Sequence, residues 1–253
     1  VGDAYRSEPT AKVRELYDGR SAEQKFGDGS QTRSRYSDQG KQNGVTDSEG
    51  NLLNSQQLLV HFMDNHDVPR WLYSFSGQLA EYRNGLAFLL TTDGIPCIYY
   101  GAEQDFAGGP DPSNREDMWL SGFKTTGETF VHIQSLIALR KQYAPLRRGD
   151  LNITYTSEHA PQTGETDAPE DAGILAFERN YNGQTVLVVF NTHPDRSART
   201  GQGTTLLETS FGANQPLVNI FGVTETVNTT AEGALDVSLP PNSVRIYVPA
   251  DDA

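Results

Sequence analysis

Two short apolar runs set the strongest limit on how this chain folds. Leu58–Met63 ends abruptly in the polar cluster Asp64-Asn65-His66-Asp67, and Gly94–Tyr100 follows one helical segment later. Mostly apolar runs, rather than strict alternation, describe strands buried on both faces, as in a parallel sheet under crossover helices. The segment between them, Leu79–Leu90, reads as a helix with Tyr82, Leu86, Phe88, Leu89 and Leu90 as apolar surface. A further helix is expected over 125–143, with Phe130, Ile133, Leu136, Ile137 and Leu139 as its stripe. Upstream, 9–25 reads as a helix that Pro9 can open, with Val13, Leu16 and Tyr17 at helical spacing. Residues 27–57 are polar and read as a long loop. The order over 9–143 is therefore helix, strand, helix, strand, helix, which means parallel strands under crossover helices. Two strands cannot form a sheet that stands alone. The unit calls for more β/α repeats, expected to lie before Val1, and the strands and helices present should show open edges and part of their apolar stripes to water.

From about Leu151 the texture becomes all-β. Short runs recur at Asn152–Thr156, Ile174–Arg179, Thr185–Asn191, Leu217–Phe221, Leu235–Leu239 and Val244–Val248, separated by Gly, Asn, Pro and Asp. This is the pattern of an antiparallel β-sandwich, and about a hundred residues suffice for one that closes its own core. The boundary is expected near Arg147-Arg148-Gly149-Asp150, giving 1–149 as the α/β part and 150–253 as the β-sandwich.

Composition excludes several function classes. The chain carries 33 Asp+Glu against 20 Lys+Arg, a formal charge of −13, which argues against nucleic acid because phosphate neutralisation needs clustered Lys and Arg. No apolar stretch reaches the roughly 18 residues of a membrane span, so no membrane partner is expected. The single cysteine, Cys97, allows no internal disulfide and reads as a small buried hydrophobe. No Cys/His metal spacing, phosphate loop or dinucleotide fingerprint occurs, so no metal or cofactor site is expected in this chain. The sequence begins at Val1 with neither an initiator Met nor a signal peptide, so the true start is expected to be missing or removed, and localisation is not read from it.

The chemistry-bearing residues sit where the first apolar run ends. In barrels of alternating strands and helices, the C-terminal strand ends carry the active site. Alone, the Asp64–Asp67 cluster is more often a solvated turn than a site. Its context is more specific. Phe62-Met63-Asp64-Asn65-His66-Asp67 resembles the fourth conserved region of the α-amylase superfamily, the family 13 glycoside hydrolases. Gly94-Ile95-Pro96-Cys97-Ile98-Tyr99-Tyr100-Gly101-Ala102-Glu103 is similar to that family's eighth barrel strand. Gly108-Gly109-Pro110-Asp111-Pro112-Ser113-Asn114-Arg115 resembles the loop after that strand, and 173–179, 185–191 and 240–249 resemble strands of the β-sandwich that follows the barrel.

The resemblance implies the C-terminal remnant of a (β/α)8 TIM barrel, from about its sixth to its eighth helix, followed by an antiparallel β-sandwich. It implies a retaining α-glucan-active hydrolase acting on α-1,4-glucosidic bonds of starch-type oligo- or polysaccharides. A transglycosylase or α-glucosidase of the same superfamily, or a non-catalytic sugar-binding relative, shares the same motifs. In retaining enzymes a nucleophile and an acid/base stand about 5–5.5 Å apart. In this family both lie on earlier barrel strands, so this chain is expected to lack them and to be inactive by itself. The third carboxylate is present: the resemblance makes Asp67 the catalytic group that grips the sugar next to the scissile bond. His66 and Asn65 belong to the same motif as sugar ligands, and Asp111 and Arg115 match positions holding the next sugar outward. His66 satisfied by backbone partners, and Asp111/Arg115 as an i,i+4 surface pair, are the alternatives. Trp71, Tyr73, Phe106 and Trp119 flank these motifs, each more often packing than a sugar platform. Family members often bind calcium, mainly through segments expected before Val1.

Overall fold

The computed structural model describes residues 46–53, 55–157, 159, 161–200 and 206–253. The helix expected over 9–25 and most of the loop expected over 27–57 lie outside the described residues. The first part runs α1 (Ser55–Leu58), β1 (Val60–His61), α2 (Trp71–Ser74), α3 (Leu79–Thr91), β2 (Ile95–Pro96), α4 (Glu128–Gln142) and α5 (Ala144–Arg148). Strands β1 and β2 pair in parallel, Val60 beside Ile95 and His61 beside Pro96, which is the β–α–β crossover the two apolar runs imply.

The expected strands 58–63 and 94–100 shrink to two residues each, and Leu58 instead closes α1. They are also not buried on both faces: Leu58, Leu59, Val60, Phe62 and Ile95 are exposed, and so is Cys97. A parallel strand is buried by neighbours on both edges and helices on both faces. Here each strand has a single partner among the described residues, so the apolar side chains that would face a closed barrel face water.

The second part is built on a six-stranded antiparallel sheet of order β3-β4-β5-β12-β8-β9, formed by Asp150–Thr156, Ile174–Tyr181, Gln184–Asn191, Ser243–Pro249, Pro216–Asn219 and Thr226–Asn228. Two small antiparallel pairs accompany it, β6 (Ala198–Arg199) with β11 (Ser238–Leu239) and β7 (Leu207–Glu208) with β10 (Ala234–Leu235). Successive side chains of a strand point to opposite faces, and β4 is apolar on both. Ile174 and Ala176 join Leu187, Val189 and Tyr247 in a core closed by Leu207, Leu235 and Leu239 of the small pairs. Leu175 and Phe177 join Val188, Phe190 and Ile246 in a second core, closed by the helices.

That second core joins the two parts. It contains Trp71, Leu86, Phe88 and Leu90 from α2 and α3, and Leu136 and Leu146 from α4 and α5. Phe88 meets Phe177 and Phe190 at centroid distances of 6.2 and 5.9 Å, both edge-on, the favoured aromatic geometry. Polar contacts reinforce the seam. Buried Arg179 of β4 donates to the carbonyls of Thr91, Leu146 and Gly149, satisfying acceptors that the ends of α3 and α5 leave open. Arg140 of α4 donates to Leu90, Leu146 and Gly94, and burial pulls its guanidinium down to about 10. The Asn84 amide of α3 donates to the Asn191 carbonyl of β5. One face of the sheet is therefore covered by α/β-part helices rather than by a second sheet of the β-part alone.

Candidate active site

The turn after β1 separates the two carboxylates that the sequence places three residues apart. Asp64 points inward and is 5% exposed; its carboxylate accepts a hydrogen bond from the Trp71 backbone N–H at 2.9 Å, capping the start of α2. Burial raises its pKa, outweighing that hydrogen bond and the nearby Arg70 charge. Asp67 points outward, and its Oδ1 lies 3.3 Å from His66 Nε2, with side chains 70% and 63% exposed respectively. Asn65 shapes the turn: its Oδ1 accepts from the Asp67 N–H at 2.8 Å.

The second loop, 108–115, is pinned onto this turn. Asn114 is fully buried, and its Nδ2 faces the carbonyls of Asn65, His66 and Val68 at 3.4, 2.8 and 2.9 Å. The Arg70 N–H donates to the Gly108 carbonyl. A Cβ at Gly108 would sit 1.9 Å from the Ser113 carbonyl oxygen, so the loop closes only with glycine there. The Asp111–Pro112 peptide is cis. These contacts bring Arg115 Nη2 to 3.5 Å from the His66 carbonyl and 2.9 Å from Asp111 Oδ1, with both charged side chains about half exposed.

Below the loops lies an ion pair whose cation is buried and whose carboxylate is partly exposed. Arg70, 0% exposed, donates from Nε to Glu116 Oε2 at 2.9 Å and from Nη1 to the Tyr100 carbonyl at 2.7 Å. Its guanidinium lies 4.0 Å from the Tyr99 ring centroid and 5.0 Å from that of Tyr100, with Phe106 at 5.5 Å. Glu116 also accepts from the Gly108 N–H, so one carboxylate ties both loops to the β2 end.

The structure thus brings His66, Asp67, Asp111 and Arg115 to one exposed loop pair, with Asn65 supporting Asp67. The Asp111/Arg115 contact is an i,i+4 pair, and the His66 carbonyl is engaged while its ring stays accessible. Of the flanking aromatics, Trp71 is core and Phe106 packs on Arg70; Tyr73 and Trp119 are exposed at 55% and 77%. Sequence reasoning missed Asn114, Arg70 and Glu116. A buried polar side chain inside a turn-rich loop looks like any turn residue, and only the Tyr99-Tyr100 pair hints at a cation nearby. Among the described residues no group of three or more His, Cys, Asp or Glu is placed to hold a metal ion. None of the helices among them is long and apolar enough to cross a membrane.

Known proteins resemble this chain in sequence and fold. The family described as "Maltogenic Amylase, C-terminal domain" matches residues 166–246. Alpha-amylase 2 of Schwanniomyces occidentalis is 33% identical over 193 residues, covering 76% of this chain and 35% of that protein. A cyclomaltodextrin glucanotransferase of a Bacillus species is 33% identical over 77% of this chain and 25% of that one. Among solved structures, an Anoxybacillus α-amylase superposes with a TM-score of 0.62 at 27% identity, covering 77% of this chain and 38% of that one. A parallel β/α unit leading into an antiparallel β-domain, with the three motifs in order, is the architecture of late barrel elements followed by a β-domain. The chain belongs to the α-amylase superfamily, as a run from late barrel elements into the β-domain that follows them. It spans about a third of the length of the curated relatives it matches (35% of Alpha-amylase 2).

Proposed function

We propose that this chain is part of a retaining enzyme that cleaves α-1,4-glucosidic bonds of starch-type glucans, and that its 1–149 and 150–253 parts serve as barrel and β-domain of that enzyme. The observation that carries the reading is the exposed cluster of His66, Asp67, Asp111 and Arg115 on two loops clamped together by a buried amide. Asp67 would accept from hydroxyls of the sugar at the scissile bond and favour the positive charge growing on that ring. A fixed anion there acts most strongly in the transition state, as catalysis requires. His66 and the free amide hydrogens of Asn65 would donate to the same sugar, while Asp111 accepts from and Arg115 donates to the next one. The nucleophile and acid/base would come from barrel strands outside this chain, so the 253-residue chain by itself should release no reducing ends from starch.

The test uses the enzyme that carries this segment. Asp67→Asn should lower kcat on soluble starch by about 10²–10³, the scale of removing one preorganised transition-state contact, without altering the circular dichroism spectrum. A folded variant that loses less than about tenfold overturns the role. Glucanosyl transfer is the second reading, favoured by a cyclomaltodextrin glucanotransferase that matches at the same 33% identity as an α-amylase. Cyclic products from starch would identify it.

A further inference from the structure

We propose that the groove between α4 and the turn joining β8 to β9 is a second carbohydrate site, one that takes a neutral pyranose unit of an α-glucan chain. The choice of glucan rests on the function proposed above; the shape and chemistry of the site do not. The groove holds about 690 Å³ and is lined by Arg83, Glu128, His132, Ser135, Leu139 and Phe221 among others. None of its residues belongs to the 64–70 or 108–115 loops.

Its floor is fixed from below. Buried Asn219 accepts from the Ile246 N–H at 2.9 Å and donates to the carbonyls of Phe221 and Val223, which sets the path of the 220–223 turn. Ile220, Phe221 and Leu139 pack on the shared core while keeping part of their surface open to the groove. His132 meets the Phe221 ring edge-on at 5.2 Å. The result is an apolar floor with an aromatic ring in it, as a sugar's C–H face requires.

Its rim is polar and electrically balanced. Arg83 Nη1 lies 2.6 Å from Glu128 Oε2, and Arg83 Nε donates to Thr129 Oγ1 at 3.0 Å. Glu128 is 82% exposed on its side chain, so its carboxylate has acceptor capacity left for a ligand. An anion would meet Glu128 and a cation would meet Arg83. A neutral polyol, whose hydroxyls both donate and accept, meets the Glu128 carboxylate and the paired Arg83 without repulsion from either. His132 adds to this. Its Nε2 faces the Arg83 carbonyl at 2.7 Å, and a carbonyl only accepts, so Nε2 carries the hydrogen and neutral Nδ1 is an acceptor. Burial keeps that ring neutral.

The 253-residue chain, labelled with ¹⁵N, is titrated with maltotriose. Saturable amide shifts are expected at 128–135 and 220–223, unchanged by Asp67→Asn. Phe221→Leu, which keeps an apolar floor without the ring, and Glu128→Ala, which changes an exposed side chain, should each weaken binding there by about tenfold, the scale of one aromatic contact in the first case and of one charge-assisted hydrogen bond in the second. Shifts confined to 65–67 and 111–115 would overturn the second site and leave the proposed function standing. Absence of shifts at 128–135 and 220–223 at tens of millimolar sugar overturns it too, as does groove binding that both variants retain in full.

Discussion

Asn114 carries more of the candidate site's geometry than any charged residue in it. Its amide faces three carbonyls of the opposite turn from a fully buried position. Asn114→Ala would take that donor from the part-buried His66 and Val68 carbonyls, at a cost of about 1 kcal/mol. Asn114→Asp should be no milder, since a carboxylate oxygen would then face carbonyl oxygens. Urea unfolding measures the loss, and the Asp67 amide resonance reports whether the turn has moved. An alanine variant of wild-type stability with an unshifted Asp67 would show that the loops hold together without this clamp. The motif resemblance singles out Asp67 and Arg115, but spacing and residue type alone do not rank Asp64 against Asp67, because both are carboxylates at the same strand end. What separates them is direction, and direction comes from α2: its first N–H turns Asp64 inward and leaves Asp67 in water.

At the scale of elements, α3 decides how the two parts behave. The periodicity of Leu79–Leu90 gives the helix correctly, but an open barrel predicts a stripe exposed to water. Instead Tyr82 and every residue from Asn84 to Thr91 are buried, because the β-sheet covers the face that an isolated barrel helix would show. The long strands β4, β5 and β12 are legible as runs; the run expected at Leu235–Leu239 instead divides between β10 and β11, which pair with β7 and β6, and strands of two residues carry no alternation that would show the break. The edges of β1 and β2 are the weak elements, with exposed apolar side chains and few ladder bonds. Hydrogen exchange should therefore protect 82–90 together with 174–190 and 244–248, and leave 58–62 and 94–98 fast. Phe88→Ala should cost about 3–5 kcal/mol and lower both parts in a single transition, since its ring packs on Phe177 and Phe190. Two separate transitions, with the sheet unaffected, would mean that the seam is not a cooperative core.

For the whole molecule, the surplus of acid over base and two shielded histidines set the response to pH. With a formal charge of −13, carboxylates dominate the surface; apart from buried Asp64, whose raised pKa works in the opposite sense by adding stability as pH falls, they protonate near and below the ordinary Asp and Glu values. His132 and His193 act earlier. Burial holds both below the usual 6.5, and the Asp195 carboxylate, 3.1 Å from His193 Nδ1, offsets this only in part. A histidine whose pKa is depressed by folding binds its proton more readily in the unfolded chain. Stability is therefore complete above the unfolded value and declines as pH falls through 6.5 towards the folded values. His132 lies on the seam between α4 and the β8–β9 turn, and His193 follows β5, so protonation strikes at both the seam and the sheet. The urea midpoint should fall between pH 7.5 and pH 5, before carboxylate titration contributes. His132→Gln combined with His193→Asn should flatten that slope even where it lowers stability overall. A midpoint that holds steady across this interval in the parent chain, or an unchanged slope in the double variant, would show that neither ring has to take up a proton on unfolding.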